Sequence, residues 1–203
     1  TTGESPTLSH QEHDRVVDTV TEAVGGRIKV IAGAGSNSTA EALRLTKHAK
    51  QAGADAALSI TPYYNKPTQQ GLIGHFTTIA DQVEIPMVMY NVPGRTGVKM
   101  LPDTIAELSK HPNIVGVKEA CGSVEQVCDI RSRCDITVLS GDASLTFPMM
   151  SVGAKGVISV AANIVPSKIA EMVKLALDGK FDEAKAIHYK YWRLFKDLFI
   201  ETN

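Results

Sequence analysis

A single lysine interrupts an apolar stretch of the sequence, IVGVKEACG at residues 114–122. Val115 and Val117 precede it in a pattern that predicts a buried strand ending near Lys118. Burial removes hydration from an ammonium group and lowers its pKa, which leaves a neutral amine that can form a Schiff base with a carbonyl carbon. Glu119 should point to the opposite face of the strand, so it is poorly placed to neutralise Lys118. The alternatives are an ion pair with Glu119 or a strand-end lysine that reaches solvent.

Tyr90 and Arg95 belong to the segment YNVPGRTG at residues 90–97, which closes the preceding predicted strand. Tyr90 should lie at the same edge of the sheet as Lys118, and a phenol near an imine can transfer the protons that imine formation requires. Arg95 lies in a Pro/Gly turn, where its planar guanidinium could bind a substrate carboxylate through two hydrogen bonds. A half-buried aromatic residue and a solvated loop arginine are the non-catalytic alternatives.

Two further segments place hydroxyl groups near strand ends. TTGES at residues 1–5 is a turn whose backbone N–H groups and hydroxyls could hold a carboxylate or a phosphate. PYYNKP at residues 62–67 puts Tyr63 and Tyr64 at the end of another predicted strand. Adjacent loop tyrosines usually indicate packing or an interface, but one of the pair should point into a common site if the other points out.

Dinucleotide and metal sites are disfavoured. In GAGSNS at residues 33–38, Ser38 replaces the third glycine of the dinucleotide motif, and Asp55 begins the next strand where a ribose-binding acid should end it. The histidines lack HExxH or other metal spacing, and no acidic cluster suggests a divalent cation. His10 and His13 should share one face of the first helix, and a solvated helix face explains that spacing equally well.

Composition predicts an ordinary globular protein. The chain has 203 residues, 43% of them hydrophobic and 21% charged, with a formal net charge of −1. That balance gives no basic surface for nucleic acid or an anionic membrane, and no apolar run reaches the roughly 20 residues that span a bilayer. Cys121, Cys128 and Cys134 are too widely spaced for a CxxC motif, so we expect reduced thiols in a cytoplasmic protein.

Strand-like and helix-like segments alternate along the chain. The strand-like segments are runs of apolar residues at 28–35, 56–64, 85–93, 114–120, 136–141 and 156–161. Helices are predicted at 39–52, 69–82, 101–110 and 124–134, and two more follow in succession at 164–179 and 181–199. Capping-box pairs begin three of the helices: Ser9 with Glu12, Ser38 with Glu41, and Ser123 with Gln126. The pattern predicts repeated right-handed βαβ units.

The distribution of polar residues favours a barrel over an open sheet. Polar residues follow many different strands, whereas a site in an open sheet gathers at one crevice. The residues are Ser36, Asn37, Tyr63, Tyr64, Tyr90, Lys118, Asp142 and Ser159. Six strands are two fewer than a (β/α)8 barrel needs, so we expect the first strands to be missing from this chain. We assign 1–163 to the barrel, and 164–203 to its last helix and the start of a truncated C-terminal helical extension.

Six blocks of sequence together resemble one family over the whole chain. The blocks are TTGESPTLSHQEH, GAGSN, PYYNKPTQQG, YNVPGRTG, GVKEA and GAKGVISVAANIVP. They are similar to the dihydrodipicolinate synthase family, within the N-acetylneuraminate lyase superfamily of class I aldolases. The resemblance implies an α/β (β/α)8 TIM barrel with a C-terminal helical extension. It also implies a cytoplasmic homotetramer, a dimer of dimers, that condenses pyruvate with L-aspartate semialdehyde in lysine and diaminopimelate biosynthesis. It implies no metal and no cofactor, because the intermediate is a covalent imine.

The resemblance also assigns roles to residues. Lys118 would form the imine, and Tyr90, Thr1 and Tyr64 would relay protons, the tyrosine of the PYY segment coming from the adjoining subunit. Other residues would bind substrate: Thr1 and Thr2 the pyruvate carboxylate, Arg95 that of the semialdehyde, and the backbone of Gly141 and Ile158 the rest of the pocket. The residues of an inhibitory L-lysine site map onto Ser5, His10, His13, Asn37, Glu41 and Tyr63, which predicts feedback inhibition. One departure is SGDAS at 140–144, where Ala143 stands in place of a second acidic residue.

Two alternatives stay open at this point. Another pyruvate-dependent aldolase of the superfamily would act on N-acetylneuraminate or a keto-deoxy sugar acid, but Arg95 argues for a substrate with a second carboxylate. A non-catalytic barrel that binds lysine would keep His10, His13 and Glu41 but would have no use for Lys118 facing Tyr90.

Overall fold

Six parallel strands form one sheet whose spatial order follows the chain. The computed structural model describes residues 1–201. The strands are β1 (Ile31–Gly33), β2 (Ala56–Ile60), β3 (Met87–Asn91), β4 (Ile114–Glu119), β5 (Thr137–Ser140) and β6 (Gly156–Val157). Each strand pairs in parallel with its neighbours in sequence, in the order β1-β2-β3-β4-β5-β6. This order is that of a TIM-barrel-like α/β fold and not of an open sheet with a reversal point. Closure by eight strands stays a prediction.

The strands are shorter than the apolar runs that predict them. At the start of β1, the Asp55 carboxylate accepts hydrogen bonds from Lys29 Nζ at 2.7 Å and from Val30 N at 2.9 Å. These contacts hold Lys29 and Val30 beside Asp55, and residues 28–30 lie outside the ladder. At the other end of β2, Tyr63 and Tyr64 lie in the following loop, and Tyr64 has a φ of +72°. A hydrophobic run therefore marks each strand but not where its ladder begins and ends.

Helices lie before the first strand, between the strands and after the last strand. They are α1 (His10–Val24), α2 (Thr39–Gln51), α3 (Gln69–Gln82), α4 (Pro93–Thr96), α5 (Pro102–Leu108), α6 (Val124–Arg133), α7 (Thr146–Ser151), α8 (Pro166–Leu177) and α9 (Phe181–Asp197). The predicted caps of α1, α2 and α6 are present, since the hydroxyl of Ser9, Ser38 or Ser123 accepts from the backbone three residues on. Only Ser9 forms the reciprocal capping box with Glu12. The acidic and amide side chains of the other two pairs, Glu41 and Gln126, turn to other partners described below.

The main core lies between the sheet and the surrounding helices. β3 is buried along its whole length, and Met87 and Met89 pack in one cluster with Phe76 of α3, Ile130 of α6 and Met172 of α8. Each such side chain contributes about 1.5–3 kcal/mol by leaving water. Close packing on both faces fixes the positions of β3 and β4, and hence of the side chains at their carboxyl ends.

The C-terminal helices pack against the sheet portion of the chain. Phe195 of α9 is buried with Ile169 of α8 and contacts a cluster that includes Ala143 and Ala161. The division of the chain at residue 163 stays a prediction. Within residues 1–201, no helix has both the length and the apolar character needed to cross a bilayer.

Candidate active site

Lys118 and Tyr90 face each other at the carboxyl ends of two adjacent strands. They are register partners across β3 and β4. The Lys118 Nζ atom lies 3.9 Å from the centroid of the Tyr90 ring. Lys118 is 8% exposed and Tyr90 is 6% exposed, so neither side chain is turned out to water. The alternative of a solvent-reaching lysine is therefore excluded.

Burial lowers the pKa of the Lys118 amine to about 8, and the positive charge of Arg95 adds to that effect. Glu119 lies on the other face of β4, as its place in the strand predicts. Among residues 1–201, no carboxylate oxygen lies within 4.0 Å of the amine to form an ion pair. Roughly a tenth of the amine is neutral at pH 7, compared with less than a thousandth for a solvated lysine. Lys118 is thus an available nucleophile near neutral pH.

Tyr90 remains a protonated phenol at neutral pH. Burial raises its pKa, while a hydrogen bond with Thr1 and the charge of Arg95 act in the opposite direction. The hydrogen bond connects the Tyr90 hydroxyl to the TTGES segment, and Glu4 N donates to Thr1 O at 2.9 Å to close the turn there. A proton donor with a polar neighbour therefore stands beside the amine.

A cavity of about 150 Å³ opens in front of the amine. Its polar lining comes from Thr1, Thr2, Tyr90, Arg95, Lys118, Gly141 and Asp142, and Val160 and Phe199 contribute apolar wall. Ile158 lines an adjoining space of about 220 Å³ together with Thr1, Thr2 and Lys118. The structure thus brings together the predicted substrate-binding residues of the sequence, including Gly141 and Ile158.

Gly141 is required by the close approach of Lys118. A Cβ atom at position 141 would lie 2.7 Å from Ala120 Cβ and 3.0 Å from Lys118 Cε. Both distances are too short for ordinary van der Waals contact, so a side chain here would displace the lysine. Asp142 lines the cavity as well, but Ser144 N and Ser144 Oγ donate to its Oδ1 at 2.8 and 2.7 Å, which makes it a cap of the following turn.

Tyr64 is the one predicted catalytic residue that a single chain does not bring to the amine. Its side chain is 88% exposed, and it does not line the cavity at Lys118. Tyr63 instead lines a space of about 260 Å³ with Thr1, Ser5 and Arg95. The assignment of the proton relay to Tyr64 of an adjoining subunit stays a prediction.

The predicted lysine-site residues surround a separate cleft of about 90 Å³, lined by Ser5, His10, His13, Glu41 and Tyr63. His10 Nε2 forms a hydrogen bond with Glu41 Oε1 at 2.5 Å, and Ser36 Oγ donates to Glu41 Oε2. These two hydrogen bonds hold the pKa of Glu41 below its usual range, and the bond from Ser36 has the larger effect. His13 Nε2 bonds to Gly33 O at 3.0 Å. Asn37 lies outside the lining, and its carbonyl accepts from Asn65 Nδ2 at 3.0 Å.

Sequence reasoning missed a buried polar cluster behind the site. Asn91 and Glu119 follow Tyr90 and Lys118 by one residue and are fully buried on the opposite face of the sheet. The alternation of strand side chains places them there. Two polar residues within apolar strand segments could have indicated this cluster from the sequence. Within the part of the chain that the structure describes, no group of three or more His, Cys, Asp or Glu residues is arranged to hold a metal ion.

Comparison with known proteins relates the whole chain to one family. A sequence model of the DHDPS family, described as the Dihydrodipicolinate synthetase family, matches residues 1–203. The 4-hydroxy-tetrahydrodipicolinate synthase of Sulfurihydrogenibium sp. (strain YO3AOP1) is 56% identical over 206 residues, an alignment covering 100% of this chain and 70% of that relative.

Two solved structures are similar to this fold along its whole length. The chloride-inhibited dihydrodipicolinate synthase of Acinetobacter baumannii, complexed with pyruvate, has a TM-score of 0.95 at 46% identity, covering 100% of this chain and 70% of that one. The DHDPS of Cyanidioschyzon merolae with lysine bound has a TM-score of 0.96 at 44% identity, with the same coverage of 100% and 70%.

Proposed function

The chain belongs to the dihydrodipicolinate synthetase family and has that family's lyase function, and we propose that Lys118 forms its Schiff base with pyruvate. Enzymes of this family condense pyruvate with aspartate semialdehyde through a lysine imine and use no cofactor. The observation that carries the proposal is the buried Lys118 amine, whose pKa is lowered to about 8 and which lies 3.9 Å from the Tyr90 ring centroid. The relative from A. baumannii binds pyruvate, which supports this substrate.

The first step joins Lys118 to the keto carbon of pyruvate. The neutral amine attacks the carbon, and the carbonyl oxygen takes a proton to give a carbinolamine. Loss of that hydroxyl as water then requires a second proton, and the protonated phenol of Tyr90 is the donor beside the amine. The product is a protonated imine, and the Tyr90 phenolate recovers its proton through the hydrogen bond with Thr1.

Two sets of groups orient the substrates. Thr1 and Thr2 line the cavity, and the hydroxyl groups of threonines are donors that suit the carboxylate of pyruvate. Arg95 lines the same cavity, and its guanidinium suits the carboxylate of aspartate semialdehyde. Gly141 leaves room for the Lys118 side chain beside the cavity.

The second step forms the carbon–carbon bond. The imine draws electrons from the methyl carbon of the bound pyruvate, which loses a proton and becomes an enamine. The enamine carbon attacks the aldehyde carbon, and the aldehyde oxygen takes a proton. The amine of the former semialdehyde then attacks the imine carbon, closes the ring and releases Lys118 as a free amine. No redox change occurs in this sequence.

We further propose the assembly and regulation that the family relationship suggests. The complete fold is a (β/α)8 barrel with a C-terminal helical extension, active in the cytoplasm as a homotetramer in which Tyr64 reaches the adjoining subunit. The 88% exposure of Tyr64 supports this placement, because the side chain is free to enter a second copy. The cleft between His10, Glu41 and Tyr63 binds L-lysine as inhibitor, and the lysine-bound structure from C. merolae supports this ligand.

Reduction with borohydride tests the proposed function. The protein is incubated with pyruvate and reduced, and its peptides are mapped by mass spectrometry. We expect a pyruvyl adduct on the peptide containing Lys118, and none in a Lys118→Met variant. A Lys155→Met variant, which alters an exposed lysine, serves as the control and should be labelled normally. An adduct at another lysine, or no adduct, would overturn the assignment.

A further inference from the structure

A buried polar cluster lies directly behind the reacting side chains. Asn91 follows Tyr90 on β3, Glu119 follows Lys118 on β4, and these two residues are also register partners. Both are 0% exposed. Because strand side chains alternate, the pair lies on the side of the sheet that faces the helices, while Tyr90 and Lys118 face the cavity.

The Glu119 carboxylate accepts hydrogen bonds from three different parts of the chain. Asn91 Nδ2 donates to Oε1 at 3.1 Å and to Oε2 at 2.9 Å. Gln126 Nε2 of α6 donates to Oε2 at 2.9 Å, and Cys121 N donates to Oε1 at 2.8 Å. These donors match an ionised carboxylate, which can only accept. No cation forms an ion pair with Glu119 among residues 1–201.

The same cluster fixes the segment that carries Arg95. Met100, which closes the loop after α4, donates its N–H to Asn91 Oδ1 at 3.0 Å. The Met100 carbonyl accepts from Asn91 Nδ2 at 3.2 Å and from Gln126 Nε2 at 3.1 Å. The hydrogen bonds therefore connect β3, β4, the loop after Arg95 and the start of α6.

A buried carboxylate without a cation is a costly way to stabilise a fold, because its lost hydration must be replaced by hydrogen bonds. Such a carboxylate can instead position the groups around it, since its two oxygens hold each hydrogen-bond donor at a defined place. Here the donors to Glu119 belong to β3 next to Tyr90, to the turn after Lys118 and to α6. Met100, in the loop after Arg95, donates to Asn91 and not to Glu119. The Gln126 amide illustrates this, since its N–H groups serve the cluster while its Oε1 has no partner.

We propose that Glu119, acting with Asn91, is a positioning residue that holds the Lys118 amine and the Tyr90 phenol in the geometry for imine formation. This inference rests on the proposed function of Lys118. Glu119 touches neither substrate nor amine and acts through the backbone of β4 and through Asn91 on β3. A displacement of about 1 Å in such a pair lowers a rate about a hundredfold.

The test compares Glu119→Gln with a matched control at the other end of β4. Glu119→Gln keeps the shape but turns one acceptor into a donor that opposes Asn91 and Gln126. The control, Asn113→Ala, removes a hydrogen bond from Asn113 Nδ2 to Ala80 O at 3.0 Å, just before β4 begins. For each variant the rate of borohydride-trappable imine formation with pyruvate is measured against pH, together with circular dichroism and the melting temperature.

We expect Glu119→Gln to slow imine formation about tenfold to a hundredfold. We also expect the pH midpoint of that rate to rise from about 8 towards that of a solvated lysine. Asn113→Ala should lower the melting temperature but leave the rate within about twofold and the pH midpoint unchanged. A Glu119→Gln variant that melts earlier but keeps the rate and midpoint would show a merely structural role and overturn the proposal.

If Glu119→Gln fails to fold, a milder variant tests the positioning role of the cluster. Gln126→Met has similar volume and removes one donor from the cluster, and it should slow imine formation about threefold to tenfold with the secondary structure retained. An unchanged rate in a folded Gln126→Met protein would overturn the proposal in that case. The failure of the proposed function is distinct, because the unaltered protein would then give no adduct on Lys118.

Discussion

The Nζ atom of Lys118 lies 3.9 Å from the centroid of the Tyr90 ring, and the two residues are register partners on adjacent parallel strands. This relationship places the amine and the phenol side by side on two paired strands of one sheet. β3 is buried along its whole length, and β4 is buried from Gly116 to Glu119.

Replacing Lys118 with methionine should abolish imine formation. We expect kcat to fall at least about a thousandfold, since the covalent step has no substitute nucleophile. The melting temperature at pH 7 should stay the same or rise, because the variant removes the cost of burying a charged amine. Steady-state kinetics and thermal melting check these outcomes, and a residual rate within tenfold of the unaltered protein would contradict the assignment.

The rate of imine formation should depend on pH through the Lys118 amine. Only the unprotonated amine attacks, so a group with a pKa of about 8 gives a rate that rises with pH and levels off above about 8. A solvated lysine would instead give a rate that rises until about pH 10.4. Stopped-flow or quenched trapping with pyruvate from pH 6 to 10 distinguishes the two, using conditions in which the protein remains folded.

Tyr90→Phe should impair proton transfer while leaving the fold intact. The variant keeps the buried ring over Lys118 but removes the hydroxyl that hydrogen-bonds with Thr1. We expect kcat to fall about a hundredfold to ten-thousandfold, the range of a lost general acid. The melting temperature should change by only a few degrees. An unaltered kcat would mean that another group supplies the proton.

Gly141→Ala should disturb the site through steric overlap. The new methyl group would lie 3.0 Å from Lys118 Cε and 2.7 Å from Ala120 Cβ, which overpacks the wall of the cavity. We expect a loss of about 1–3 kcal/mol in the free energy of unfolding and a marked loss of imine formation. Gly74→Ala in α3 is the matched control, because nothing lies within 4 Å of a Cβ there. It should retain activity and gain about 0.5–1 kcal/mol.

Glu41→Gln should weaken inhibition by L-lysine. The Glu41 carboxylate lines the cleft with His10 and Tyr63, and in the proposed lysine complex its negative charge would attract the ammonium group of the ligand. We expect the lysine concentration for half inhibition to rise at least about tenfold, equivalent to about 1.4 kcal/mol. Glu84→Gln removes an exposed carboxylate elsewhere and should leave inhibition unchanged. Isothermal titration with lysine measures the binding directly.

The sequence by itself predicted the strands, most of the helices, and the faces of β4 on which Lys118 and Glu119 lie. It predicted neither α4 nor α7. Apolar runs predicted six parallel strands, and the structure has six in sequential order. The two-residue period of a strand placed Lys118 towards the cavity and Glu119 away from it, because that period is a local property of the backbone. The caps of α1, α2 and α6 were likewise readable, since they join residues three positions apart.

Only the tertiary structure decided how distant segments meet. The spacing of Lys118 from Tyr90 depends on the register of two strands that lie 28 residues apart in the chain, which no local pattern specifies. The same is true of Gly141 against Lys118, and of Glu41 and Gln126, whose side chains leave their capping boxes for His10 and Glu119. Tyr64 is exposed for the same reason, because the path of its loop is set by packing and not by sequence spacing. Local backbone geometry determines the face to which a strand side chain points, and long-range packing determines its distance from residues that are remote in the sequence.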